Sequence, residues 1–513
     1  MNSVQQKFWN LPFVILLLGA LITVFNISVT NVAIPKIAAA LSANGLQIHF
    51  IADGLTITLA AFVLLLGAIG DSYGRKLLFV SGCAIMIIAS LFSAYSTSAN
   101  TLIVWRMIAG IATAMLYPTT LSMITTIFQE KKQRLLAIGM WSGISAGGAA
   151  LAPVVAGWLL VYFPWGSVFL ISVPFTILAL ILGWWVLPEF KNKNEKSIDY
   201  LGGILSIIWI SFLLFGIILF PVDGFDSRVG SALGIACVSL VLFLLRELHT
   251  TNPLLDLRVF KNSRFSIAAL TITIVAFAQL GVMFLAQQYV QNVLGYNTLQ
   301  AGLSGFPLSI AVLIASPLSA KIDGRFGSRK TIAAGFFFIA IGFLTALLWT
   351  VHSPYLQICL SYVLIGIGLG LTMTPSTNAI MNSLPEGKAG IASAVNDVTR
   401  DLGNSLGIAV NGSIAAISYT TVLEKMEKNI PVSEQAAISE NIVRTITSSL
   451  SGALEVAQRY PSVNAGQMVS AAKQAFLDGQ LAAMLLSAIL CFIGAIIVLL
   501  YMPQAPSQEK KSL

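Results

Sequence analysis

The feature that most constrains this chain is a series of long apolar segments that recur from one end to the other. Each has about 20 residues, the length that an α-helix needs to cross a hydrocarbon core of about 30 Å. Inside a bilayer the backbone groups cannot reach water, so such segments must be helical. The predicted fold class is therefore an all-α polytopic membrane protein. Fourteen spans are predicted, at 11–35, 48–70, 77–96, 101–127, 136–160, 166–187, 200–220, 229–247, 265–290, 300–322, 331–350, 355–381, 389–418 and 480–502.

The composition also excludes a soluble protein. The chain has 513 residues, of which 57% are apolar and only 10% are charged, whereas an ordinary soluble domain carries about 25% charged residues. The first apolar run is longer than the core of a signal peptide, about 7–15 residues, so it is interpreted as a retained span. The cysteines and histidines show no metal-binding spacing, and we expect no metal or cofactor.

The basic residues indicate how the chain crosses the membrane. Most of the 29 lysines and arginines fall in alternate connections and near the two ends of the chain. By the positive-inside rule these connections and both termini are predicted to be cytoplasmic. This distribution accounts for the net charge of +8, so we expect no nucleic-acid partner.

A weak internal repeat predicts the domain organisation. Two short, basic, glycine-containing motifs, 67–76 and 323–330, occupy corresponding connections. We therefore predict two six-helix halves, 1–190 and 264–513, separated by two inserted helices in 191–263. Paired halves are typical of secondary transporters.

A polar segment, 419–479, precedes the last predicted span. It is predicted to be an amphipathic helical hairpin outside the membrane, with Pro461 near its turn. The alternative is a solvated linker without a role.

Ionisable residues inside the predicted spans are the strongest indication of a site. They are Asp53 in the second span, Arg106 in the fourth, and Asp397, Arg400 and Asp401 in the thirteenth. A charge at the centre of a spanning helix costs about 2.5–3.5 kcal/mol on insertion scales, so its presence normally serves a function.

The two acids of the thirteenth span form the main candidate site. Asp397 and Asp401 are four residues apart and share a helix face, which Asn404 continues. Asp397 lies roughly 14 Å beyond Lys388 along the helix, near the middle of the bilayer. A carboxyl group there could exchange a proton between the two sides and, when ionised, could attract a lipophilic cation.

Structural interpretations of the same residues stay open. Arg400 follows Asp397 by three residues, and a stable ion pair would keep that aspartate ionised and unable to carry a proton. Asp53 could receive substrate or could be an interfacial residue. Arg106 could serve in a proton relay or position another span.

A run of small residues marks the fifth span. Glycines recur from Gly139 through Gly148 to Gly157, with Pro153 and several alanines between them. Small faces let helices approach closely and slide, and a proline bends the helix. Such a span could form a moving interface, or it could simply be closely packed.

Several of these passages together resemble a known family. The chain is similar to the fourteen-span drug:proton antiporters of the major facilitator superfamily, and within them to efflux pumps for quaternary ammonium compounds. The resemblance covers nearly the whole length. The motifs that carry it include 67–76, 106–110, 139–157, 165–174 and 254–260.

The resemblance implies roles for individual residues. The first motif, with Gly67, Asp71, Gly74 and Arg75, is expected to act as a conformational latch. The arginine of the second motif, Arg106, is implicated in proton transfer.

Gly148, Pro153 and Gly157 belong to the antiporter motif of the fifth span. The acids of the thirteenth span and Asp53 fall where the quaternary ammonium pumps carry acids.

The chain departs from the family at one important position. The first span of the family carries an aspartate where this chain has Asn26. An asparagine side chain has no titratable proton. The number of exchanged protons is therefore open, as is any preference for divalent cations.

The sequence predicts a proton-coupled antiporter that exports lipophilic organic cations across a bacterial plasma membrane by alternating access. The expected partners are cationic small molecules, protons and the lipid bilayer, and the protein is expected to be a monomer driven by the proton gradient. The alternatives are an exporter of a metabolite, siderophore or peptide, or a non-transporting receptor or sensor. We expect no enzymatic activity, because no catalytic constellation occurs.

Overall fold

The prediction of an all-α fold is confirmed by the computed structural model. Turns and irregular connections join the helices, and the described residues contain no strand. The residues that the structure describes are 11–43, 45–190, 198–223, 226–384, 388–427, 450–459 and 465–503.

The first seven helices match the first six predicted spans, because α6 and α7 are separated only by Ile171 and together form one crossing. A single glycine joins α2 to α3. Gly74 has a φ of 128°, a conformation that residues with a Cβ atom rarely adopt, so α3 can begin directly after it. The helices are α1 (Leu11–Leu41), α2 (Gly45–Tyr73), α3 (Arg75–Ala94), α4 (Ala99–Ile127), α5 (Lys131–Tyr162), α6 (Ser167–Leu170) and α7 (Ser172–Val186).

The remaining helices follow the predicted order. A 3-10 turn, Leu257–Lys261, precedes α10, and a π-helical turn, Tyr289–Val293, continues it. Helices α11 and α12 together occupy the tenth predicted span. The helices are α8 (Tyr200–Asp223), α9 (Ser227–His249), α10 (Ser263–Gln288), α11 (Thr298–Ser304), α12 (Phe306–Phe326), α13 (Ser328–Ala346), α14 (Tyr355–Met381), α15 (Ala389–Glu427), α16 (Leu450–Arg459) and α17 (Ala465–Tyr501).

Thirteen segments of the described chain are long and apolar enough to cross a membrane. The predicted span that is missing from this set is 389–418. It is a continuous helix, α15, but it is less apolar because it carries Asp397, Arg400 and Asp401 as well as several Asn, Ser and Gly residues. The count of fourteen spans therefore stays a prediction.

The segment before the last span differs from the predicted hairpin. Helix α15 continues to Glu427, and α17 begins at Ala465 instead of residue 480. The second arm of the predicted hairpin is thus the first part of α17, where Ala472 and Phe476 are buried. Helix α16 buries Ala453 and packs on α17. Pro461 lies outside the described residues, as do 428–449.

Two lines of contact join the first seven helices to the helices after α9. Along one, α2 and α4 pack on α15; along the other, α5 packs on α11, α12 and α14. The second contact depends on small residues, since a Cβ atom at Gly139 would lie 2.6 Å from the carbonyl oxygen of Ser316. The inserted helices α8 and α9 pack on each other, and α8 also contacts α2 and α15. The division into three domains stays a prediction.

The small residues of α5 do not form one sliding face. Gly139 meets α12, whereas a Cβ atom at Gly148 would lie 2.7 Å from Cδ1 of Leu21, in α1. Pro153 lies beside Gly302 of α11, and Gly157 has no described atom within 4 Å of its Cβ position. Only part of the predicted interface therefore faces the later helices.

Candidate functional site

Asp71 connects the end of α2 to the beginning of α15. Its Oδ1 accepts hydrogen bonds from Arg75 Nε and from the backbone N–H of Gly390, both at 2.9 Å. Its Oδ2 accepts one from the N–H of Ile391 at 3.2 Å. A carboxylate placed on the first N–H groups of a helix is stabilised by them and by the helix dipole. Asp71 therefore binds α2 to the start of α15.

The backbones of α2 and α15 also touch at this point. A Cβ atom at Gly67 would lie 2.8 Å from the carbonyl oxygen of Gly390. Arg75 reaches α4 as well, where its Nη1 donates to Thr126 Oγ1 at 2.5 Å and to the Ser122 carbonyl at 3.3 Å. We refer to Asp71, Arg75 and the N–H groups of Gly390 and Ile391 as the latch.

Asp397 is buried in α15, and only one of its two carboxylate oxygens accepts hydrogen bonds. Its Oδ1 accepts hydrogen bonds from Arg400 Nη2 and, at 3.2 Å, from Asn396 Nδ2. Its Oδ2 is buried without a hydrogen-bond partner. The local ion pair between Asp397 and Arg400, which the sequence left as an alternative, is thus formed in this structure.

Asp401 lies one turn further along the same face and is 7% exposed. Its Oδ2 is also buried without a partner, and no ion pair to Asp401 occurs within the described part of the chain. A proton could therefore bind to Asp401 Oδ2 without displacing any hydrogen bond or ion pair. Asp397 differs from Asp401 because the guanidinium of Arg400 already forms an ion pair with it.

An aromatic pair of the earlier helices lies beside this segment, with Tyr117 against Arg400 and Trp141 behind Tyr117. The guanidinium carbon of Arg400 lies 5.0 Å from the centre of the Tyr117 ring, and Arg400 Nη1 donates to the Tyr117 hydroxyl at 3.4 Å. The Tyr117 ring packs on that of Trp141, with 4.8 Å between their centres. We call Tyr117, Trp141, Asp397, Arg400 and Asp401 the central cluster. It combines carboxylates with aromatic rings, which together can hold an organic cation.

Sequence reasoning missed Tyr117, although a signal for it exists. Arg106, Gly110, Thr113 and Tyr117 recur at helical spacing along one stripe of α4. In the structure Trp141 is buried, and its indole N–H donates to Thr120 Oγ1 at 2.9 Å.

Arg106 belongs to a separate site. It lies about 16 Å from Tyr117 along the axis of α4. Its Nη1 donates to the carbonyl oxygen of Asn26 at 3.3 Å and its Nε to that of Ile51 at 3.4 Å, while Nη2 is buried without a partner. No carboxylate lies within ion-pair distance of Arg106 among the described residues. Its guanidinium instead lies 5.5 Å from the centre of the Phe169 ring.

The side chain of Asn26 has a structural role next to Arg106. Its Nδ2 donates to the carbonyl oxygen of Ile22 at 2.9 Å, and its Oδ1 accepts from Ser172 Oγ at 3.3 Å. Asp53 is half-buried in α2 and forms no ion pair within the described ranges. The structure therefore separates the predicted proton and substrate residues into two groups. Asp397 and Asp401 lie in one. Asn26, Arg106 and Asp53, whose carboxylate attracts Arg106 electrostatically, lie in the other.

A further polar cluster, between the inserted helices, was not predicted. Asp199 accepts from Arg246 Nε at 3.2 Å and from the N–H of Gly202 at 3.0 Å. Glu247 Oε2 accepts from the N–H of Leu255 at 2.8 Å. These bonds fix α8 and α9 to each other and to the following turn. The described residues contain no cluster of acids, histidines and cysteines that could hold a metal ion.

Comparisons with known proteins identify the family. A family model described as "Major Facilitator Superfamily" matches residues 16–408. The multidrug efflux pump LfrA of Mycolicibacterium smegmatis is 31% identical over 484 residues, which cover 94% of each chain. The methyl viologen resistance protein SmvA of Salmonella typhimurium is 29% identical over 91% of this chain and 93% of its own.

A solved structure shows the same fold. A double tryptophan mutant of XylE has a TM-score of 0.62 at 14% identity, covering 97% of this chain and 96% of its own. At this identity the likeness concerns the fold alone. Together with the sequence matches, it confirms the resemblance noted from the motifs: the chain is a multi-pass membrane transporter that belongs to the Major Facilitator Superfamily.

Proposed function

We propose that this chain exports lipophilic organic cations in exchange for protons. The observation that carries the proposal is the pair of buried acids in α15. Asp397 and Asp401 each keep one oxygen without a partner, and Arg400 of the same helix lies over the Tyr117 ring of α4. A site for a neutral or anionic cargo would not need two such acids.

The names of the relatives support the same class of cargo. LfrA and SmvA are named for multidrug efflux and for resistance to methyl viologen, which is an organic cation. A metabolite, siderophore or peptide exporter remains the alternative within the same fold, and a receptor or sensor the alternative outside transport. The paired acids favour neither of them.

The two acids have different roles in the proposed exchange. Asp397 already holds a guanidinium group, so it is the carboxylate that receives the cation. Asp401 has no ion pair and can hold the proton. Arg400 neutralises one of the two carboxylates, and the other cannot stay ionised at low cost in a low-dielectric site unless a second cation is present. A proton on Asp401 and a cation on Asp397 therefore compete.

This competition is sufficient for exchange. On the cytoplasmic side, binding of the cation releases the proton. On the outer side, where protons are more abundant, a proton returns to Asp401 and weakens the hold on the cation. The proton gradient supplies the free energy, so no cofactor is required, and a single chain contains both acids.

The latch provides the alternating access that the exchange requires. Binding of α2 to the start of α15 closes the end of the bundle that bears the basic connections. If that end is cytoplasmic, with both termini on the same side of the plasma membrane, the structure is closed toward the cytoplasm. Release of Asp71 from the N–H groups of Gly390 and Ile391 would open it.

Transport into inverted membrane vesicles tests the proposal. With an imposed pH gradient, ethidium should accumulate in vesicles that contain the parent protein, and collapse of the gradient should release it. Asp397→Asn and Asp401→Asn should each abolish accumulation. Lys132→Gln, which removes an exposed charge, should transport as the parent does. Accumulation that survives collapse of the gradient, or that is unchanged in both acid variants, would contradict the proposal.

A further inference from the structure

The contacts of Arg400 are those that an organic cation would need at this site. Its guanidinium is paired with Asp397 and lies over the Tyr117 ring at 5.0 Å. A planar, weakly hydrated cation over an aromatic face, beside a carboxylate, is bound by cation–π attraction and by an ion pair. No other cation occupies this position in the described part of the chain. The protein thus carries a guanidinium ion, attached to its own backbone, in the place where a cargo would bind.

We propose that Arg400 is a tethered occupant of the cation site, which the cargo must displace before it can be exported. This inference rests on the proposed function and adds to it a residue that regulates the site. It also defines the cargo class more narrowly. The ligand should present a weakly hydrated cationic group with a delocalised charge or aromatic rings, because that group must replace a guanidinium on the same ring and the same carboxylate.

The surroundings allow the guanidinium to leave. The Arg400 side chain is 24% exposed, whereas that of Asp397 is 1% exposed. Its hydrogen bond to the Tyr117 hydroxyl is long, at 3.4 Å, and hydrogen bonds weaken toward this length. The side chain can therefore turn away from Tyr117 while the buried carboxylate stays in place.

A second carboxylate is available to receive it. Asp401 is the neighbouring residue, attracts Arg400 electrostatically, and has an unpartnered Oδ2. When Arg400 turns from Asp397 to Asp401, a proton on Asp401 Oδ2 leaves to water and the guanidinium takes its place. The charge at the site stays balanced, because one cation has arrived at Asp397 and one proton has left Asp401. Arg400 would thereby link binding of the cargo to release of the proton.

The same residue limits proton leakage. Without cargo, Arg400 neutralises Asp397, so only Asp401 is free to exchange protons. Removal of Arg400 should make both acids available in the absence of cargo.

Equilibrium binding of radiolabelled tetraphenylphosphonium to purified protein tests the displacement. Arg400→Gln should bind the cation about tenfold more tightly than the parent, because the competitor is gone. Lys132→Gln serves as the matched control, since it removes the same charge from an exposed position, and it should bind as the parent does. Equal or weaker binding by a monodisperse Arg400→Gln protein would overturn the inference.

A chemical rescue distinguishes displacement from a structural effect. Free guanidinium ion should compete with tetraphenylphosphonium in Arg400→Gln and restore weaker binding, while it should have little effect on the parent. Proteoliposomes of Arg400→Gln that contain a pH-sensitive dye should also show a cargo-independent proton leak. A merely structural arginine would produce neither result, and the absence of both would count against the inference.

Tyr117→Phe keeps the test decisive if Arg400→Gln does not fold. It removes the hydroxyl that accepts from Arg400 and keeps the ring that a cargo needs. We expect cation binding to become about two- to threefold tighter; unchanged or weaker binding would overturn the inference. A parent protein that neither binds nor transports the cation would contradict the proposed function. Normal binding by the parent with no gain in the variants would contradict only the role of Arg400.

Discussion

The latch and the central cluster each contain an aspartate paired with an arginine that follows it closely in the chain. The two aspartates differ in how many of their oxygens accept hydrogen bonds. Asp71 and Arg75 are four residues apart, and Asp397 and Arg400 are three apart. Both oxygens of Asp71 accept hydrogen bonds, and the Arg75 side chain is 5% exposed. Asp397 uses only Oδ1, and its arginine is 24% exposed. A fully bonded acid holds two helices together, whereas a partly bonded acid can accept a new partner.

The comparison predicts that the loss of Asp71 costs the most stability. Asp71→Ala leaves Arg75 buried without its carboxylate and leaves the first N–H groups of α15 without an acceptor. Breaking a buried pair in this way costs about 3–5 kcal/mol. We expect a large drop in the temperature of unfolding in detergent.

The double variant Asp71→Ala/Arg75→Ala provides the control for that effect. It should recover part of the lost stability, because no buried charge is left unpaired. An unchanged unfolding temperature in the single variant would show that the latch does not hold the fold.

A second change strains the latch without removing a charge. Gly67→Ala would place a methyl group 2.8 Å from the carbonyl oxygen of Gly390. Overpacking of this kind costs about 1–3 kcal/mol, and here α2 can relieve it by separating from α15. The variant should therefore populate the open state, which faster proteolysis or hydrogen exchange at 388–395 would detect. Gly157→Ala, where the site is open, is the matched control and should behave as the parent does.

A substitution in the central cluster should affect transport more than stability. Asp397→Asn should cost only about 1 kcal/mol, because Arg400 is partly exposed and can turn to Asp401. Export, however, should be lost. The temperature of unfolding and dye transport are measured on the same variant. A stability loss as large as that of Asp71→Ala would remove the distinction between the two regions.

The smallest effect is expected at Asn26. Asn26→Asp would place a carboxylate near Arg106, whose Nη2 lacks a partner. The net change in stability should be within about 1 kcal/mol, since attraction by Arg106 is offset by desolvation of the acid and by loss of the hydrogen bond from Asn26 Nδ2 to the Ile22 carbonyl. The proton-to-cation ratio should rise if the new acid takes part in transport. A clear loss of stability would show that the space around Nη2 cannot accept a carboxylate.

The sequence predicted most helices because apolar length alone determines them in a bilayer. It misplaced the ends around 419–479, since α15 and α17 continue past their apolar parts and composition no longer defines their limits. The partial orientation of the α5 glycines was predictable from periodicity. Gly143 and Gly148 are five residues apart, which rotates them by about 140° around the helix.

The candidate site was likewise predicted only in part. The sequence identified Asp397, Arg400 and Asp401 because charges are rare in apolar spans. It did not identify Tyr117, because the helical stripe of α4 that contains Tyr117 does not show which helix it faces. The contact of α4 with α15 is given only by the structure. Nor could it decide whether Arg400 pairs with Asp397, because both conformations of the side chain are compatible with the spacing.

Proton release on binding of a cation tests the central claim most directly. Tetraphenylphosphonium is added to purified protein in weakly buffered detergent solution, and bound cation and released protons are counted together. The parent should release about one proton for each cation bound, whereas Asp401→Asn should bind the cation and release none. Binding without proton release by the parent, or undiminished release by Asp401→Asn, would contradict exchange at these two acids.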